Sequence, residues 1–373
     1  MAGETRVALT PDTLARLKGV QVLIEAGAGE SAGFSDGAYV SAGASIAPDA
    51  AALYGQADVV LKVRPPSPEE AGRLKEGAVL ISFLYPSANA VAVKALAGRK
   101  ASALAMELIP RISRAQSMDA LSSQATVAGY KAVLLAAESL PKFFPMLMTA
   151  AGTVPPARVF VIGAGVAGLQ AIATARRLGA VVEAYDVRPA VKEQIESVGA
   201  RFVQVPLEVP VGEDAQDAGG YAKALGEEFY AKQRAAMVKW CAASDVVITT
   251  ALVPGKKAPV LVPEEAVRGM RPGSVIVDLA AEQGGNCALT EPGKTVVKHG
   301  VTIHGPLNLP ATLAPHASQM YARNVIALLD LIIKDGRLRR AAPTEGAGRL
   351  SLDVKDEVIR GCLVVHEGRV SGS

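Results

Sequence analysis

Short apolar runs alternate with helical patterns along the first part of the chain. Four continuous apolar runs predict buried strands of a parallel sheet covered on both faces: 20–27, 58–63, 78–85 and 102–107. The segments between them have the spacing of short helices: PDTLARLK, SDGAYVSAG and NAVAVKALAG. The pattern therefore predicts an α/β domain at the start of the chain.

Two long helical patterns frame the middle of the chain. The first covers 118–140 and ends at PKFFP, because proline removes a backbone donor and clashes with the preceding turn. The second covers 313–334. Between the two, further strands are predicted over RFVQV, DVVITT and SVIVDLA, with a short strand pair in TVVKHGVTIHG.

A glycine-rich turn follows the apolar run VFVI, and a helix and a second strand follow the turn. Gly163, Gly165 and Gly168 form G-x-G-x-x-G: the first glycine permits the tight turn, the second lets the backbone approach a pyrophosphate, and the third lets the helix pack on the strand. The helix N-terminus offers N–H groups to the phosphates. Asp186 ends the second strand, where a carboxylate can bind both ribose hydroxyls. This order of elements predicts a dinucleotide site.

The choice between NAD and NADP depends on two neighbouring charges. A carboxylate at Asp186 repels a 2′-phosphate, whereas an arginine such as Arg188 can accommodate one. We expect the aspartate to dominate, so NAD(H) is the expected cofactor.

The nucleotide motif lies inside the segment framed by the two long helices. We therefore expect an α/β fold of two Rossmann-like domains with parallel sheets, the NAD-binding domain being inserted in the outer one. The outer domain is expected to comprise residues 1–135 plus 312–373, and the NAD-binding domain residues 136–311.

Composition and charge narrow the classes of function. The net charge of +3, with no basic stripe, argues against a nucleic-acid partner. The chain has three cysteines, which are far apart and form no CxxC pair: Cys241, Cys287 and Cys362. We therefore expect a reducing compartment, and we expect neither disulfide bonds nor a metal site. The most apolar stretch, 132–151, is broken by charged residues and prolines, so no membrane span is expected. The first residues, MAGETRVALTP, lack the apolar core of a signal peptide.

The segment 205–230 is long for an α/β connection and rich in proline, glycine and acidic residues. Connections of this length are typically lids or disordered loops. From the pattern alone, a lid and a surface insertion without a function are equally good interpretations.

Carbonyl or imine reduction needs a proton donor beside the hydride, commonly a histidine or lysine. For each of the four histidines, His299, His304, His316 and His366, a surface or structural role is the expectation. Another polar group, Arg111, Gln116, Asp119 and Ser122, lies at the start of the first long helix. The last three are spaced i, i+3, i+6, roughly one face if helical. The alternative is a polar helix start capped by Ser117 or Asp119.

These residues belong to motifs that resemble the NAD(H)-binding component of proton-translocating nicotinamide nucleotide transhydrogenase. The resemblance covers nearly the whole chain, and RAQSMDALSSQ is its most specific motif. The other motifs are ETRVALTP, EAGAGESAGFSD, VIGAGVAGLQA with YDVRPAV, GGYAK, VDLAAEQGGN, NLPATLAPHASQMYARN and DEVIRG. Alanine dehydrogenases share the fold and several of these motifs.

Departures from the alanine dehydrogenase pattern distinguish the two. In those enzymes, stretches similar to LKVRPP and ISFLYPSA carry a substrate lysine and a catalytic histidine, and we align Arg64 and Pro86 with them. A third stretch, similar to VDLAAEQGG, carries an aspartate where this chain has Glu282. Arg6 matches their substrate arginine, but transhydrogenases keep that motif too. Without the imidazole and the amine, imine chemistry is disfavoured, whereas hydride transfer between two nicotinamides needs no acid or base.

The resemblance implies that the chain binds NADH and presents its nicotinamide to NADP⁺ held on a separate protein. Arg111, Gln116, Asp119 and Ser122 match the residues that orient the nicotinamide, with Gln116 bridging toward the second ring. The GGYAK motif, with Tyr221, resembles the mobile loop that closes on the nucleotide. The residues expected to bind the cofactor are Gly163, Gly165, Val166, Gly168, Asp186, Val187, Arg188, Tyr221 and Gln283.

The resemblance also implies an assembly. The expected enzyme is a transhydrogenase of the proton-translocating rather than the Si-specific type. The expected partners are a second copy of the chain, an NADP(H)-binding subunit and a membrane proton-channel subunit. Through the other subunits, the chain is expected to lie on the cytoplasmic face of the cell membrane. The alternatives are an amino-acid dehydrogenase of the alanine type and a non-catalytic NAD-sensing module.

Overall fold

The computed structural model describes residues 3–205, 227–253, 257–334, 337–338 and 352–371. The chain forms two compact units. The first comprises Met1–Gln124 and Pro310–Ser373, and the second comprises Ala125–Leu309. The domain boundaries expected from the sequence, at 135/136 and 311/312, lie further along the chain than these unit boundaries, at 124/125 and 309/310.

Strands and short helices alternate through the first part of the first unit. The strands are β1 (Leu23–Glu25), β2 (Ser45–Ala47), β3 (Val59–Leu61), β4 (Val79–Ser82) and β5 (Ser102–Ala105). The α-helices are α1 (Asp36–Ser41), α2 (Ala50–Gln56), α3 (Pro68–Arg73) and α4 (Ala90–Gly98). Four 3₁₀ helices occupy Pro11–Arg16, Glu30–Ala32, Met106–Leu108 and Ser113–Met118.

The long helix α5 (Ala120–Ser139) leads into the second unit. The strands of that unit are β6 (Leu147–Thr149), β7 (Gly152–Val154), β8 (Arg158–Ile162), β9 (Val181–Tyr185), β10 (Arg201–Phe202), β11 (Val246–Thr249), β12 (Val275–Asp278), β13 (Thr295–Lys298) and β14 (Val301–His304). Its further helices are α6 (Val166–Arg177), α7 (Lys192–Ser197), α8 (Glu227–Ala242) and α9 (Glu264–Gly269), with 3₁₀ helices at Pro189–Val191 and Ala281–Gln283.

The chain then returns to the first unit. A 3₁₀ helix at Leu309–Leu313 precedes the second long helix, α10 (Ala314–Leu329). The remaining elements are β15 (Ile333–Lys334), β16 (Arg337–Leu338), α11 (Glu357–Cys362), β17 (Leu363–His366) and β18 (Arg369–Val370).

The main sheet of the first unit has the strand order β18-β17-β5-β4-β3. Its strands β3, β4 and β5 are parallel, and β17 pairs antiparallel with β5. The apolar run 20–27 differs from expectation, because only Leu23–Glu25 is a strand and it pairs with β2 in a separate two-stranded sheet. The polar side chains of Gln21 and Glu25 interrupt that run, and its strand is half-buried or exposed rather than covered on both faces.

The sheet of the second unit has the strand order β10-β9-β8-β11-β12-β14-β13. Every neighbouring pair is parallel except β13 with β14, which form the predicted short antiparallel pair. The strand β8 lies between β9 and β11, so the order of the strands reverses beside it. Ligands of open α/β sheets bind outside the carboxyl ends of the strands at such a reversal. The predicted α/β class with parallel sheets is confirmed.

Alanine and glycine allow close packing in the second unit. A Cβ atom at Gly129 of α5 would lie 2.1 Å from the carbonyl oxygen of Ala167 in α6. Fully buried alanines extend this contact into the core of the unit: Ala132, Ala136, Ala171 and Ala175. A composition rich in alanine, with only 4% aromatic residues, therefore suits helices that approach each other and the sheet closely.

The three cysteines are free thiols and all are buried. Burial raises the pKa of Cys241 and Cys362 to about 12 and that of Cys287 to about 11. Across the described ranges, no helix has both the length and the apolar character needed to cross a membrane.

Candidate functional site

The three glycines of the turn after β8 have different surroundings. Gly163 has a φ of +95°, which favours glycine, and a Cβ atom there would lie 2.7 Å from Thr250 Oγ1. A Cβ atom at Gly168 would lie only 1.9 Å from the carbonyl oxygen of Gly163. Around Gly165 there is open space. The first glycine thus makes the turn, the third allows close packing, and the second leaves the backbone open to a ligand.

Helix α6 begins immediately after Gly165, whose carbonyl accepts a hydrogen bond from Leu169 N–H at 2.8 Å. Gly165 has no side chain that could cap the helix. An anion at this end could therefore accept hydrogen bonds from N–H groups of the first turn, where the helix dipole also favours negative charge. Val166, the first residue of α6, is 36% exposed.

Asp186 and Arg188 form an ion pair. From the sequence, the two residues were expected to act in opposite directions on the choice between NAD and NADP. Arg188 Nη2 lies 2.8 Å from Asp186 Oδ2, and Arg188 Nε donates to Oδ1 at 2.9 Å. Ala164 N–H, within the glycine turn, donates to Oδ2 at 2.7 Å. The buried carboxylate is therefore held against the turn, at the end of β9. Val187, between the two charged residues, is half-buried.

Asp278, at the end of β12, is a second acid that ends a strand of this sheet, and its position was not predicted to matter. Its carboxylate is fully buried and accepts bonds from the hydroxyls of Thr249 (2.9 Å) and Thr290 (2.7 Å). It also accepts from the N–H groups of Asn286 (2.8 Å) and Cys287 (3.0 Å). These bonds fix the loop that follows β12. An acid that ends an apolar strand, as Asp186 does, was the signal that could have found it.

The loop after β11 is fixed by side chains from two directions. Thr250 Oγ1 donates to the carbonyl oxygen of Gly163 at 2.9 Å. Asn286 Nδ2 donates to the Ala251 carbonyl at 2.8 Å, and its Oδ1 accepts from Ala251 N–H at 2.9 Å. The glycine turn and this loop therefore meet where the strand order reverses.

Gln283 is exposed on the 3₁₀ turn after β12, and its carbonyl accepts from Ala258 N–H at 2.9 Å. The neighbouring Glu282 accepts from Asn308 N–H through Oε1. Tyr221 and the GGYAK motif lie outside the described residues.

The polar segment with Arg111, Gln116, Asp119 and Ser122 is not a single helix. Gln116 lies in the 3₁₀ helix Ser113–Met118, and α5 begins only at Ala120. The segment is therefore not the single helix in which these i, i+3, i+6 positions were expected to share a face, because α5 starts later than predicted. Arg111 and Gln116 are exposed, whereas Asp119 and Ser122 are half-buried.

Asp119 caps α5. Its Oδ1 accepts from Ser122 N–H at 2.9 Å, and its Oδ2 accepts from Ser122 Oγ at 2.6 Å. This bond satisfies an N–H group that the start of a helix leaves without a partner. The capping interpretation thus holds for Asp119, and it does not prevent a second role in orienting a ligand.

The stretches aligned with the alanine dehydrogenase lysine and histidine offer no free amine and no imidazole. In the stretch LKVRPP, Lys62 Nζ donates to Glu70 at 2.7 Å and to Tyr54 at 2.9 Å. Burial acts to lower the pKa of Lys62, but these two hydrogen bonds raise it above its ordinary value, so the amine stays protonated. The stretch ISFLYPSA contains no histidine.

Three of the four histidines have partners consistent with structural roles. His304 is buried, and its ring contacts Ser139 Oγ at 2.8 Å and Thr295 Oγ1 at 2.9 Å. His366 lies 3.3 Å from Ser102 Oγ. His299 lies in the turn between β13 and β14, with φ +52°, and contacts Glu264 at 3.0 Å. His316 is exposed in the first turn of α10.

Arg6, which matches the substrate arginine of alanine dehydrogenases, is engaged within the first unit. Its Nε and Nη2 donate to the two carboxylate oxygens of Glu4, each at 2.8 Å. Its Nη1 donates to Gln124 Oε1 at 2.8 Å. The arginine therefore acts in this structure as part of a buried polar network.

The two halves of the chain match models of one protein family. Residues 1–128 match the N-terminal domain of alanine dehydrogenase/PNT, and residues 132–372 match its C-terminal domain. The chain is 51% identical over 376 residues to a Rhodospirillum rubrum protein named as the first part of NAD(P) transhydrogenase subunit alpha, covering 99% of this chain and 94% of that protein. It is 33% identical over 334 residues to alanine dehydrogenase of Bacillus subtilis, covering 86% of this chain and 80% of that one.

The fold agrees with these sequence matches. The crystal structure of transhydrogenase from Sinorhizobium meliloti superposes with a TM-score of 0.83 at 43% identity, covering 100% of this chain and 96% of that one. The resemblance inferred from the motifs is confirmed. This chain belongs to the alanine dehydrogenase/PNT family, and it is more similar to these transhydrogenases than to the alanine dehydrogenase.

Proposed function

We propose that the chain is the NAD(H)-binding subunit of a proton-translocating transhydrogenase, which passes hydride from NADH to NADP⁺ held on a partner subunit. The family implies a nicotinamide nucleotide as the cofactor. The relative from Rhodospirillum rubrum is named as a portion of an alpha subunit, which supports the proposal that this chain also acts with partners.

One observation supports the proposal most strongly: the chain contains both a glycine turn with an open backbone and a polar segment. The polar segment has side chains that could orient a nicotinamide but no histidine or lysine that could act as a general acid. The carboxylate of Asp119 and the hydroxyl of Ser122 are joined in a helix cap. Hydride transfer between two nicotinamide carbons requires alignment of the rings and no proton donor. Binding and orientation are the contributions that a protein makes when the cofactor supplies the chemistry.

Each candidate residue has a role in this proposal. The backbone at Gly165 and the start of α6 at Val166 hold the pyrophosphate, while Gly163 forms the turn and Gly168 lets α6 pack against it. The Asp186–Arg188 pair and Val187 contact the adenosine, with the aspartate on the ribose hydroxyls. Gln283 contacts the nucleotide, and the GGYAK motif with Tyr221 closes on it. The nicotinamide is oriented by Arg111, Gln116, Asp119 and Ser122.

The assembly is part of the proposal. A membrane subunit couples the hydride transfer to proton movement, and an NADP(H)-binding subunit presents the second nicotinamide. The chain binds to these partners at the cytoplasmic face of the membrane. It does so as a homodimer, for which the β6–β7 hairpin offers the apolar side chain of Met148, 79% exposed, and the adjoining Met146 is 56% exposed.

Reconstitution tests the function directly. Source membranes stripped of this chain should regain hydride transfer from NADH to NADP⁺ when the purified chain is added back. The same chain should not oxidise L-alanine with NAD⁺. Turnover of alanine without transhydrogenation would instead establish the amino-acid dehydrogenase, and NADH binding without either reaction would favour the sensing module.

The orienting role is tested by Gln116→Leu. Hydride transfer should fall by about 100-fold, the size expected for misaligned reactants, while NADH affinity stays close to wild type. Asp186→Ala provides the contrast, because this change should weaken NADH binding itself. NADH affinity is measured for both variants by the quenching of protein fluorescence. Equal loss of binding and transfer in Gln116→Leu would refute the orienting role.

A further inference from the structure

Helix α10 holds the polar segment at two points. Asn324 Nδ2 donates to the carbonyl oxygen of Ser117 at 2.8 Å, directly after Gln116. The carbonyl oxygen of Ala317 accepts from Gln124 Nε2 at 3.1 Å, two residues after Ser122. Ala317 and Asn324 are about two helical turns apart, so they lie on one face of α10. The two contacts enclose Asp119 and Ser122.

The second contact is reinforced by a buried ion pair. Gln124 accepts from Arg6 through Oε1 and donates to Ala317 through Nε2, so its amide is fixed on both sides. Arg6 is itself oriented by Glu4, and their side chains are 6% and 11% exposed. Because a guanidinium is planar and donates in fixed directions, this network determines where Gln124 lies.

The contact between Asn324 and Ser117 leaves one polar atom of the asparagine without a hydrogen bond. Asn324 is 8% exposed, and its Oδ1 has no hydrogen-bond partner within the described part of the chain. A buried oxygen without a partner is destabilising. Rotating the amide would turn Nδ2 away from Ser117 and lose that bond. The asparagine therefore fixes the position of the Ser117 peptide through Nδ2, while its own Oδ1 is left without a hydrogen bond.

We propose that Asn324 and Gln124 are positioning residues for hydride transfer. They hold the segment that carries Gln116, Asp119 and Ser122, so that a nicotinamide bound there is aligned with the acceptor ring. The inference rests on the proposed function. Neither residue needs to contact the nucleotide, because both act through the backbone of the segment. Misplacement of a reacting group by about 1 Å can reduce a rate by about 100-fold.

Asn324→Leu is the main test. Leucine keeps the branched shape but removes both the donor and the oxygen without a partner. We expect a melting temperature equal to or above that of the wild type, unchanged NADH affinity, and hydride transfer lower by about 10- to 100-fold. A purely structural asparagine would instead lower the melting temperature and leave the rate of the folded protein unchanged.

Gln124→Glu is the second variant. It keeps the shape of the side chain and an acceptor for Arg6, but it replaces the donor to Ala317 with a carboxylate oxygen that repels the Ala317 carbonyl, so this contact is broken. The new buried charge lies beside Arg6, which can pair with it, and a urea titration verifies that the variant is folded. Hydride transfer should again fall at unchanged NADH affinity. Arg16→Ala is the control, because it breaks the exposed 3.2 Å pair with Asp330 just after α10 and should leave transfer unchanged.

The outcomes separate this inference from the proposed function. If the wild-type chain supports no transfer, the proposed function is wrong, and this inference falls with it. If the wild type transfers hydride and the folded Asn324→Leu and Gln124→Glu variants do so at the same rate, only the positioning role is wrong. A loss of NADH affinity equal to the loss of rate in both variants would also overturn it.

Discussion

Gly165 and Gly168 lie three residues apart in the same motif, and an added methyl group would meet very different surroundings. At Gly168 a Cβ atom would lie 1.9 Å from the carbonyl oxygen of Gly163, a backbone atom that cannot move away without disturbing the turn. Gly165 has a φ of −75° and open space around it, so alanine fits there without strain. The same substitution at the two positions therefore separates folding from binding.

We predict that Gly168→Ala lowers the free energy of unfolding by about 1–3 kcal/mol, as expected for overpacking. Gly165→Ala should unfold at the wild-type urea concentration but bind NADH roughly tenfold more weakly, about 1.4 kcal/mol, because its methyl group lies where the pyrophosphate approaches. Urea titration and fluorescence binding measure the two effects. Wild-type NADH affinity in Gly165→Ala would contradict the assigned place of the phosphates.

A second prediction at this scale concerns the cap of α5. Asp119→Ala should lower the free energy of unfolding by about 1 kcal/mol, because Ser122 N–H loses its acceptor. Asp119→Asn keeps a side-chain oxygen and should be close to wild type in stability. If Asp119 also orients the nicotinamide, the asparagine variant will still transfer hydride more slowly. Equal stability of the alanine and asparagine variants would show that the cap contributes nothing.

At the scale of elements, His304 joins β14 to β13 and to the end of α5 through its two hydroxyl partners. Burial lowers the pKa of this histidine below its usual 6.5. As the pH falls, the unfolded chain therefore takes up the proton first. The stabilising effect of the neutral ring is complete above pH 6.5 and decreases below it, down to the pKa in the folded state.

We predict that the free energy of unfolding decreases as the pH falls from about 7 to about 5, with a slope from this residue of at most about 1.4 kcal/mol per pH unit. His304→Gln should flatten that part of the profile. His316→Gln, at an exposed position on α10, serves as the control and should retain the wild-type slope. Identical profiles for the wild type and His304→Gln would show that another group causes the pH dependence.

The elements best predicted from the sequence were those with local signals. β8, the glycine turn, α6 and β9 follow each other within one short stretch, and periodicity with three glycines was enough to order them. The start of α5 was placed too early, because Met118 continues the apolar pattern although the 3₁₀ turn still includes it. Apolar periodicity does not distinguish a 3₁₀ turn from the first turn of an α-helix.

The network beneath the polar segment could not be predicted in this way. Arg6 and Gln124 are 118 residues apart, and Ser117 and Asn324 are 207 apart. Their pairing depends on how α10 packs in the first unit, which no local pattern records. Asp278 illustrates an intermediate case, since its place at the end of a strand was visible but its partners in the following loop were not.

At the scale of the whole molecule, the β6–β7 hairpin bears on assembly. The two strands pair with each other and with no other described strand, and Met148 is 79% exposed. A two-stranded hairpin is marginally stable alone, and its open edges favour association. These features fit the proposed contact with a second copy of the chain.

We predict that the wild type is a dimer at micromolar concentration and that Met148→Lys shifts it toward monomer in sedimentation velocity experiments. A buried lysine in the interface would lack a partner, which explains the direction of the change. Val91→Lys is the matched control, because Val91 is 68% exposed on α4 of the first unit and should leave the dimer intact. A Met148→Lys dimer of wild-type affinity would place the interface elsewhere.

The burial of all three cysteines has a practical consequence. Their thiols have pKa values raised to about 11 or 12, so almost none is a thiolate at neutral pH, and each is shielded from reagents. A maleimide dye should therefore leave the native chain unlabelled. Val91→Cys would then provide a single reactive position, and the arrival and departure of partner subunits could be followed by fluorescence without removing any native cysteine.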